Sequence, residues 1–128
     1  MRVGVPKEIK PGEYRVGLTP TAVREYVTHG HRVLVETGAG QGAGYDDAAY
    51  VRAGADLAPD AAAVFGAAEL IVKVKEPQPG EWPRLNERHI LFTSLHLAPD
   101  PAQAEGLIAS GCAAWRMTRS GRSGVGWR

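Results

Sequence analysis

The sequence predicts an α/β domain in which a mostly parallel sheet carries helices on both faces. Up to residue 114, short runs of aliphatic residues alternate with helix-like segments, which is the order that parallel βαβ units require. Residues suited to capping a helix precede several of the helix-like segments. The length of 128 residues and the 44% hydrophobic content suit one domain with a modest core.

The first predicted unit is a strand, a helix and a second strand. Residues 2 to 5 are expected to form the first strand. Thr19 followed by Pro20 predicts the start of a helix, because threonine caps the free amides and proline suits the first helical position. Gly30 predicts the end of this helix, and residues 33 to 35 (VLV) predict a buried strand.

The middle of the chain predicts two short capped helices and a strong strand. Asp46 is expected to cap one helix and Asp60 another, with a weak strand beginning at Asp56 between them. Residues 70 to 74 (LIVKV) form the clearest strand pattern of the chain.

The last predicted elements are a proline-rich loop, a short strand and a helix. The proline-rich residues 77 to 83 predict a loop with one helical turn near Trp82. Residues 90 to 93 predict a strand, and residues 100 to 110 predict a final helix that Gly111 ends.

Residues 38 to 43 (GAGQGA) match the glycine pattern of a dinucleotide-binding turn after a strand. That turn requires a helix to open at once, so that its amides meet the pyrophosphate, whereas here the first helix cap is Asp46. The acidic residue expected about 20 positions later is also poorly placed, since Asp60 fits a helix cap. We therefore predict a surface loop or a close backbone contact rather than a cofactor site.

Candidate chemistry lies in the loops after the first, fourth and fifth predicted strands, because ligands of such folds bind beyond the carboxyl ends of the strands. These loops contain Arg15, Lys75 and His96. An arginine can bind a carboxylate through two parallel donors, a lysine can polarise a carbonyl or share the carboxylate, and a histidine can move protons near neutral pH. Taken alone, the three residues are more typical of a solvated charge, a lysine paired with Glu76 and a structural histidine.

Composition argues against several other classes. Cys112 is the single cysteine, and His29 and His31 have no further ligand at suitable spacing, so we expect no metal site and no disulfide framework. We find no apolar run of membrane length and no secretory signal pattern, so we expect a cytoplasmic protein that does not bind membranes.

Taken together, five segments make the chain resemble the N-terminal part of bacterial alanine dehydrogenases over about residues 1 to 112. They are residues 1–10 (MRVGVPKEIK), 13–20 (EYRVGLTP), 35–40 (VETGAG), 70–78 (LIVKVKEPQ) and 91–98 (LFTSLHLA). The resemblance implies the fold of that family's substrate domain and the family's reaction, the reversible NAD-dependent deamination of L-alanine to pyruvate and ammonia. It also implies a hexamer.

The resemblance implies a role for each candidate residue. Arg15 matches the arginine that binds the substrate carboxylate, Lys75 matches the substrate-binding and catalytic lysine, and His96 matches the acid/base histidine. One departure lies beside the site, because family members commonly have an aromatic residue where this chain has Ser94. We expect looser packing next to His96.

The enzymes of this family are nearly three times as long as this chain, and their NAD-binding Rossmann domain follows the matching segment. The resemblance therefore implies an incomplete substrate lobe at residues 1–114, with no cofactor-binding residue on this chain and no dehydrogenase activity from the chain alone. The aspartate that partners the histidine in the family also lies beyond the matching segment.

Residues 115 to 128 have a different composition from the rest of the chain. Residues 1 to 114 contain all 14 acidic residues and 11 of the 15 basic ones, a net charge of −3, whereas the tail has four arginines and no acid. Such a tail can be a disordered end or a basic arm for nucleic acid. One possible set of codons for residues 114–120, when read in a frame shifted by two bases, encodes L-A-Y-D-A-V. This sequence is close to the one with which the family continues. We therefore predict a frameshift after about residue 112, a disordered tail and no nucleic-acid partner.

Two alternatives remain at this point. The alpha subunits of nicotinamide nucleotide transhydrogenase share the opening segment and the glycine-rich loop, but they resemble this chain less around Lys75 and His96. The chain could also be a non-catalytic module that binds pyruvate or pairs with a full-length subunit.

Overall fold

A computed structural model describes residues 1–75 and 77–93, together with the backbone of residues 113–116. Six strands form one sheet in the order β3-β2-β1-β4-β5-β6, and each pair of neighbours is parallel. The strands are β1 (Arg2–Val5), β2 (Arg32–Glu36), β3 (Asp56–Ala58), β4 (Leu70–Val72), β5 (Ile90–Thr93) and β6 (Ala113–Arg116). This arrangement confirms the predicted α/β class and parallel sheet.

Three helices connect the first four strands: α1 (Pro20–Thr28), α2 (Asp47–Arg52) and α3 (Ala61–Ala67). Each begins after a predicted cap whose side chain accepts a backbone N–H. Thr19 accepts from Ala22, Asp46 from Ala49 and Asp60 from Ala63, at 3.2, 2.8 and 2.9 Å. The local capping signals therefore located all three described helices correctly.

The helices cover opposite faces of the sheet because successive side chains of a strand point to opposite sides. Alternate valines of β1 and β2 pack with Val23 of α1 and Tyr50 of α2. On the other face, Ile71 of β4 and Leu91 of β5 pack with Val64 and Phe65 of α3. The two hydrophobic clusters thus share the sheet between them.

Two predicted boundaries differ from the structure. β4 ends at Val72, two residues earlier than expected, because the amides of Val74 and Lys75 donate to the carboxylate of Glu8 rather than continuing the strand. β6 includes Trp115 and Arg116, which the composition places in the basic tail, and its backbone pairs with β5. The predicted helix at 100–110 and the remainder of the tail lie outside the described residues.

The proline-rich loop contains a 3₁₀ turn at Trp82–Arg84, as predicted. A second 3₁₀ turn, Gln41–Ala43, lies in the glycine-rich loop and was not predicted. Among the described helices, none is long and apolar enough to cross a membrane.

Gly4 of β1 allows α3 to approach the sheet closely. A Cβ atom at this position would lie 2.6 Å from Cβ of Ala68 and 2.8 Å from Cγ1 of Val64. Both neighbours belong to the buried cluster under α3. A side chain at Gly4 would therefore have to displace the helix or its end.

We expect Gly4→Ala to lower the free energy of unfolding by about 1–3 kcal/mol, the usual cost of overpacking a core. Gly66→Ala is the matched control, because a Cβ at Gly66 in α3 meets nothing within 4 Å. This variant should raise the free energy of unfolding by up to about 1 kcal/mol through helix propensity. Urea denaturation of both variants gives the comparison, and equal stability of the two would contradict the close packing of α3 on β1.

Candidate functional site

The sheet order places the loops after β1 and β4 side by side. β1 lies between β2 and β4, so the chain leaves β1 towards one side of the sheet and returns on the other. In open parallel sheets, ligands bind in the crevice at such a reversal of strand order, beyond the carboxyl ends of the strands. The loop at residues 6–19 carries Arg15, and Lys75 lies three residues after the end of β4.

Arg15 is held by Glu13 through a two-pronged contact. Its Nε and one terminal nitrogen, Nη2, donate to the two carboxylate oxygens of Glu13 at 3.0 Å each, and its backbone amide donates to the same carboxylate at 2.8 Å. The Arg15 side chain remains 68% exposed, whereas that of Glu13 is only 5% exposed. The guanidinium is thus oriented by Glu13 while much of its surface stays accessible.

The charges at this point stabilise the ionised forms of both residues. Hydrogen bonds from Arg15 are the main cause that lowers the pKa of Glu13, and the positive charge of Lys75 lowers it further. The hydrogen bonds to Glu13 in turn raise the pKa of Arg15. Glu13 is therefore a carboxylate at neutral pH, and Lys75 is near enough to act on it electrostatically.

Arg15 and Lys75 line the same cavity. Its volume is about 420 Å³, and its walls are residues 10–15 and Lys75. A second cavity of about 280 Å³ shares Glu13, Tyr14 and Arg15 with the first and extends to the glycine-rich loop. Two of the three predicted site residues are thus brought together at the sheet edge where the sequence placed them.

The backbone of Lys75 is fixed from two directions. Its amide donates to Oε1 of Glu8 at 3.2 Å, and its carbonyl accepts a hydrogen bond from the hydroxyl of Thr93 at 2.9 Å. Thr93 is the last residue of β5 and is fully buried. The predicted acid/base residue His96 lies three residues beyond Thr93, and it and Ser94 are outside the described residues.

A buried charge cluster beside Lys75 was not predicted from the sequence. The ammonium of Lys73 lies 3.0 Å from Oε1 of Glu8 and 3.3 Å from Oε2 of Glu81. The three side chains are between 1% and 4% exposed. A lysine inside the apolar run LIVKV is the sequence signal for such a cluster, because a buried charge requires partners. That signal does not say which acids they are.

Burial and charge act in opposite directions on Glu81. Removal from water raises the pKa of Glu81, and the nearby ammonium of Lys73 lowers it, with burial the larger effect. The amide of Gln78 also donates to Glu81 at 2.9 Å. Lys73 therefore holds two carboxylates from two different loops in one buried cluster.

The glycine-rich loop is occupied by its own contacts. The amide of Gly38 donates to the carboxylate of Asp47 at 2.9 Å. A Cβ at Gly40 would lie 2.6 Å from the ring of Tyr50, and one at Gly42 would lie 2.9 Å from the carbonyl oxygen of Tyr14. An acidic side chain on the loop amide and glycines packed against tyrosines do not fit the pyrophosphate of a dinucleotide. Within the described part of the chain, no three residues of the metal-binding types cluster together.

A protein-family comparison identifies the class of this domain. The family model described as "Alanine dehydrogenase/PNT, N-terminal domain" matches residues 4–122. The chain therefore belongs to this family, which confirms the resemblance drawn from the five sequence segments.

The similar proteins include alanine dehydrogenases of bacteria. That of Halomonas elongata is 48% identical over 127 residues, which are 98% of this chain and 34% of the relative. That of Bacillus subtilis is 49% identical over 114 residues, 89% of this chain and 30% of the relative. The chain thus spans about a third of the length of these relatives.

Solved structures give the same fold. One titled L-alanine dehydrogenase superposes with a TM-score of 0.88 at 44% identity, covering 95% of this chain and 35% of that one. A transhydrogenase from Sinorhizobium meliloti superposes with a TM-score of 0.84 at 26% identity, covering 93% and 36%. The similarity is greater to the alanine dehydrogenase than to this transhydrogenase.

We expect Lys73→Met to lower the free energy of unfolding by about 3–5 kcal/mol at pH 8, because it leaves buried carboxylates without their cation. The pKa of Glu81 in the folded chain, already raised above 4.5, should rise further when Lys73 is lost. A carboxyl group whose pKa is higher in the folded chain than in the unfolded chain adds stability at low pH. This stability is lost as the pH rises through the folded pKa. The decrease in the free energy of unfolding from wild type to Lys73→Met should therefore be smaller at pH 5 than at pH 8.

Urea denaturation at the two pH values measures this deficit. Lys7→Met is the control, because Lys7 is an exposed lysine next to Glu8. We expect little change in this control at either pH. A Lys73→Met deficit that is the same at pH 5 and pH 8 would contradict the buried charge cluster.

Proposed function

We propose that this chain is the substrate-binding lobe of an NAD-dependent L-alanine dehydrogenase, which converts L-alanine, NAD⁺ and water reversibly into pyruvate, ammonia and NADH. The observation that carries the proposal is the shared cavity of Arg15 and Lys75 at the reversal of strand order. Sequence identities of 44–49% to alanine dehydrogenases support the same assignment.

The charges of the cavity suit a small monocarboxylate. Glu13 offsets the charge of Arg15, and Lys75 supplies a further positive charge in the lining of the same cavity. Glu13 engages Nε and Nη2 of Arg15, and Nη1 is the nitrogen not used in that contact. We infer that Nη1 and the Lys75 ammonium bind the carboxylate of pyruvate or L-alanine, because charged donors give strong and directional hydrogen bonds.

Lys75 also suits a second task. An ammonium held near the carbonyl oxygen of pyruvate stabilises negative charge that develops there during the reaction. The family's acid/base histidine, which His96 matches, moves the proton of the oxygen or nitrogen bonded to the reacting carbon. We propose the same role for His96.

NAD supplies the hydride acceptor of the family's reaction. Because the glycine-rich loop does not fit a dinucleotide, we propose that this lobe binds the acid and that NAD binds to another part of the enzyme.

Several broader features belong to the same proposal. We propose a cytoplasmic homohexamer that binds neither nucleic acid nor membranes, a lobe that ends with β6 at Arg116 and a basic tail after it produced by a frameshift. Resequencing the gene around codon 114 tests the frameshift. The transhydrogenase alternative has less support, because the similarity to that class is 26% in the structure compared above.

Pyruvate binding by the chain tests the site directly. We expect Arg15→Ala to weaken binding by roughly 10- to 100-fold, the range for losing a hydrogen bond between charged groups. Arg32→Ala is the matched control, since Arg32 is also an exposed arginine in an ion pair, 3.6 Å from Asp56. Isothermal calorimetry with pyruvate measures all three proteins. Equal affinities for wild type and Arg15→Ala would contradict the assigned carboxylate site.

A chimera separates the enzyme from a mere binding module. Residues 1–112 of this chain replace the matching segment of the Bacillus subtilis alanine dehydrogenase, to which the chain is 49% identical. The proposal expects alanine-dependent NADH formation by the chimera and at least a roughly 100-fold loss on His96→Gln, the scale of acid/base catalysis. A folded chimera that binds pyruvate and NAD but forms no NADH would instead favour the binding module.

A further inference from the structure

Glu8 joins the two loops that form the cavity. It belongs to the loop after β1, which also carries Arg15, and its side chain is 2% exposed. Its Oε1 accepts from the Lys73 ammonium at 3.0 Å and from the Lys75 amide at 3.2 Å. Its Oε2 accepts from the Val74 amide at 3.0 Å. One carboxylate thus binds three consecutive residues of the loop after β4.

We propose that Glu8 is a positioning residue for substrate binding, which fixes the backbone from which the Lys75 side chain reaches the cavity. The inference rests on the proposed role of Lys75 in binding the substrate. Glu8 itself acts through Lys75.

The contacts favour positioning over a purely stabilising role. The last strand-like contact is the hydrogen bond from the Lys73 amide to the carbonyl of Phe92 at 3.1 Å, and Lys75 follows two residues later. From there, Glu8 holds the Lys75 amide and Thr93 holds its carbonyl. The groups that fix Lys75 therefore belong to the loop of Arg15 and to the end of β5. A displacement of this residue would alter its distance from Arg15 directly.

Only a carboxylate can make all three contacts of Glu8. Each of its oxygens faces a donor: Oε2 faces the Val74 amide, and Oε1 faces the Lys73 ammonium and the Lys75 amide. A glutamine has one acceptor oxygen, and its NH₂ group is a donor. In Glu8→Gln, the NH₂ group must therefore face either the Val74 amide or the donors of Lys73 and Lys75. The size and shape of the side chain are kept.

A double-mutant cycle tests the proposal in the full 128-residue chain. The proteins are wild type, Glu8→Gln, Lys75→Met and the double variant, and the measurement is the dissociation constant for pyruvate by NMR titration. Glu69→Gln is the matched control, because Glu69 also accepts a backbone amide, that of Arg2 at 3.0 Å, and pairs with the Arg2 side chain at the opposite edge of the sheet.

We expect Glu8→Gln to weaken pyruvate binding by about tenfold in wild type and by less than about twofold when Lys75 is already Met, since coupled residues are not additive. Glu69→Gln should leave the affinity unchanged. An equal Glu8→Gln effect in both backgrounds, or no greater effect than that of Glu69→Gln, overturns the positioning role. Unchanged affinity in Lys75→Met alone shows instead that the proposed function of Lys75 is wrong, and the inference falls with it.

Hydrogen exchange in the wild-type chain gives a second test that does not require the Glu8 variant to fold. If Glu8 couples the loop to the site, saturating pyruvate slows exchange of the Val74 and Lys75 amides, which Glu8 binds. The Arg2 amide, bound by Glu69, should exchange at the same rate with and without pyruvate. Bound pyruvate with unchanged exchange at Val74 and Lys75 would overturn the proposal.

Discussion

The buried contact between Lys73 and Glu8 is the constraint on which the site depends. A lysine at the end of a central strand cannot remain charged inside a protein unless acceptors surround it. Here the acceptors come from two loops, Glu8 after β1 and Glu81 in the proline-rich loop. Because Glu8 pairs with Lys73, the loop after β1 is held against the loop after β4. These two loops carry Arg15 and Lys75. The contact that satisfies a buried charge in the folded chain thus also joins the two loops of the candidate site.

Much of the fold follows from local signals in the sequence. Thr19, Asp46 and Asp60 begin the three described helices because their side chains bind the first free amides, a contact that spans only three residues. The proximity of Arg15 and Lys75 follows from a topological rule about parallel sheets rather than from any motif. The resemblance of five separate segments to one family then favoured functional roles over a solvated charge and a strand-end lysine.

The parts that sequence reasoning missed depend on distant contacts. Glu8 and Lys73 are 65 positions apart, and no periodicity or spacing in the sequence indicates which acidic residue will pair with a buried lysine. The early end of β4 has the same origin, because the amides of Val74 and Lys75 bind Glu8 instead of a neighbouring strand. The glycine-rich loop differs from these cases, because the late helix cap at Asp46 argued for a surface loop or a close backbone contact. Its glycines pack closely against Tyr50 and the backbone of Tyr14.

A crystal structure of the chain with pyruvate tests most directly whether the linked loops form a carboxylate site. The account predicts that the pyruvate carboxylate contacts both the Arg15 guanidinium and the Lys75 ammonium, while Glu8 still accepts from the amides of Val74 and Lys75. Pyruvate bound away from these two side chains, or bound to them with Glu8 turned out of the loop, would contradict it.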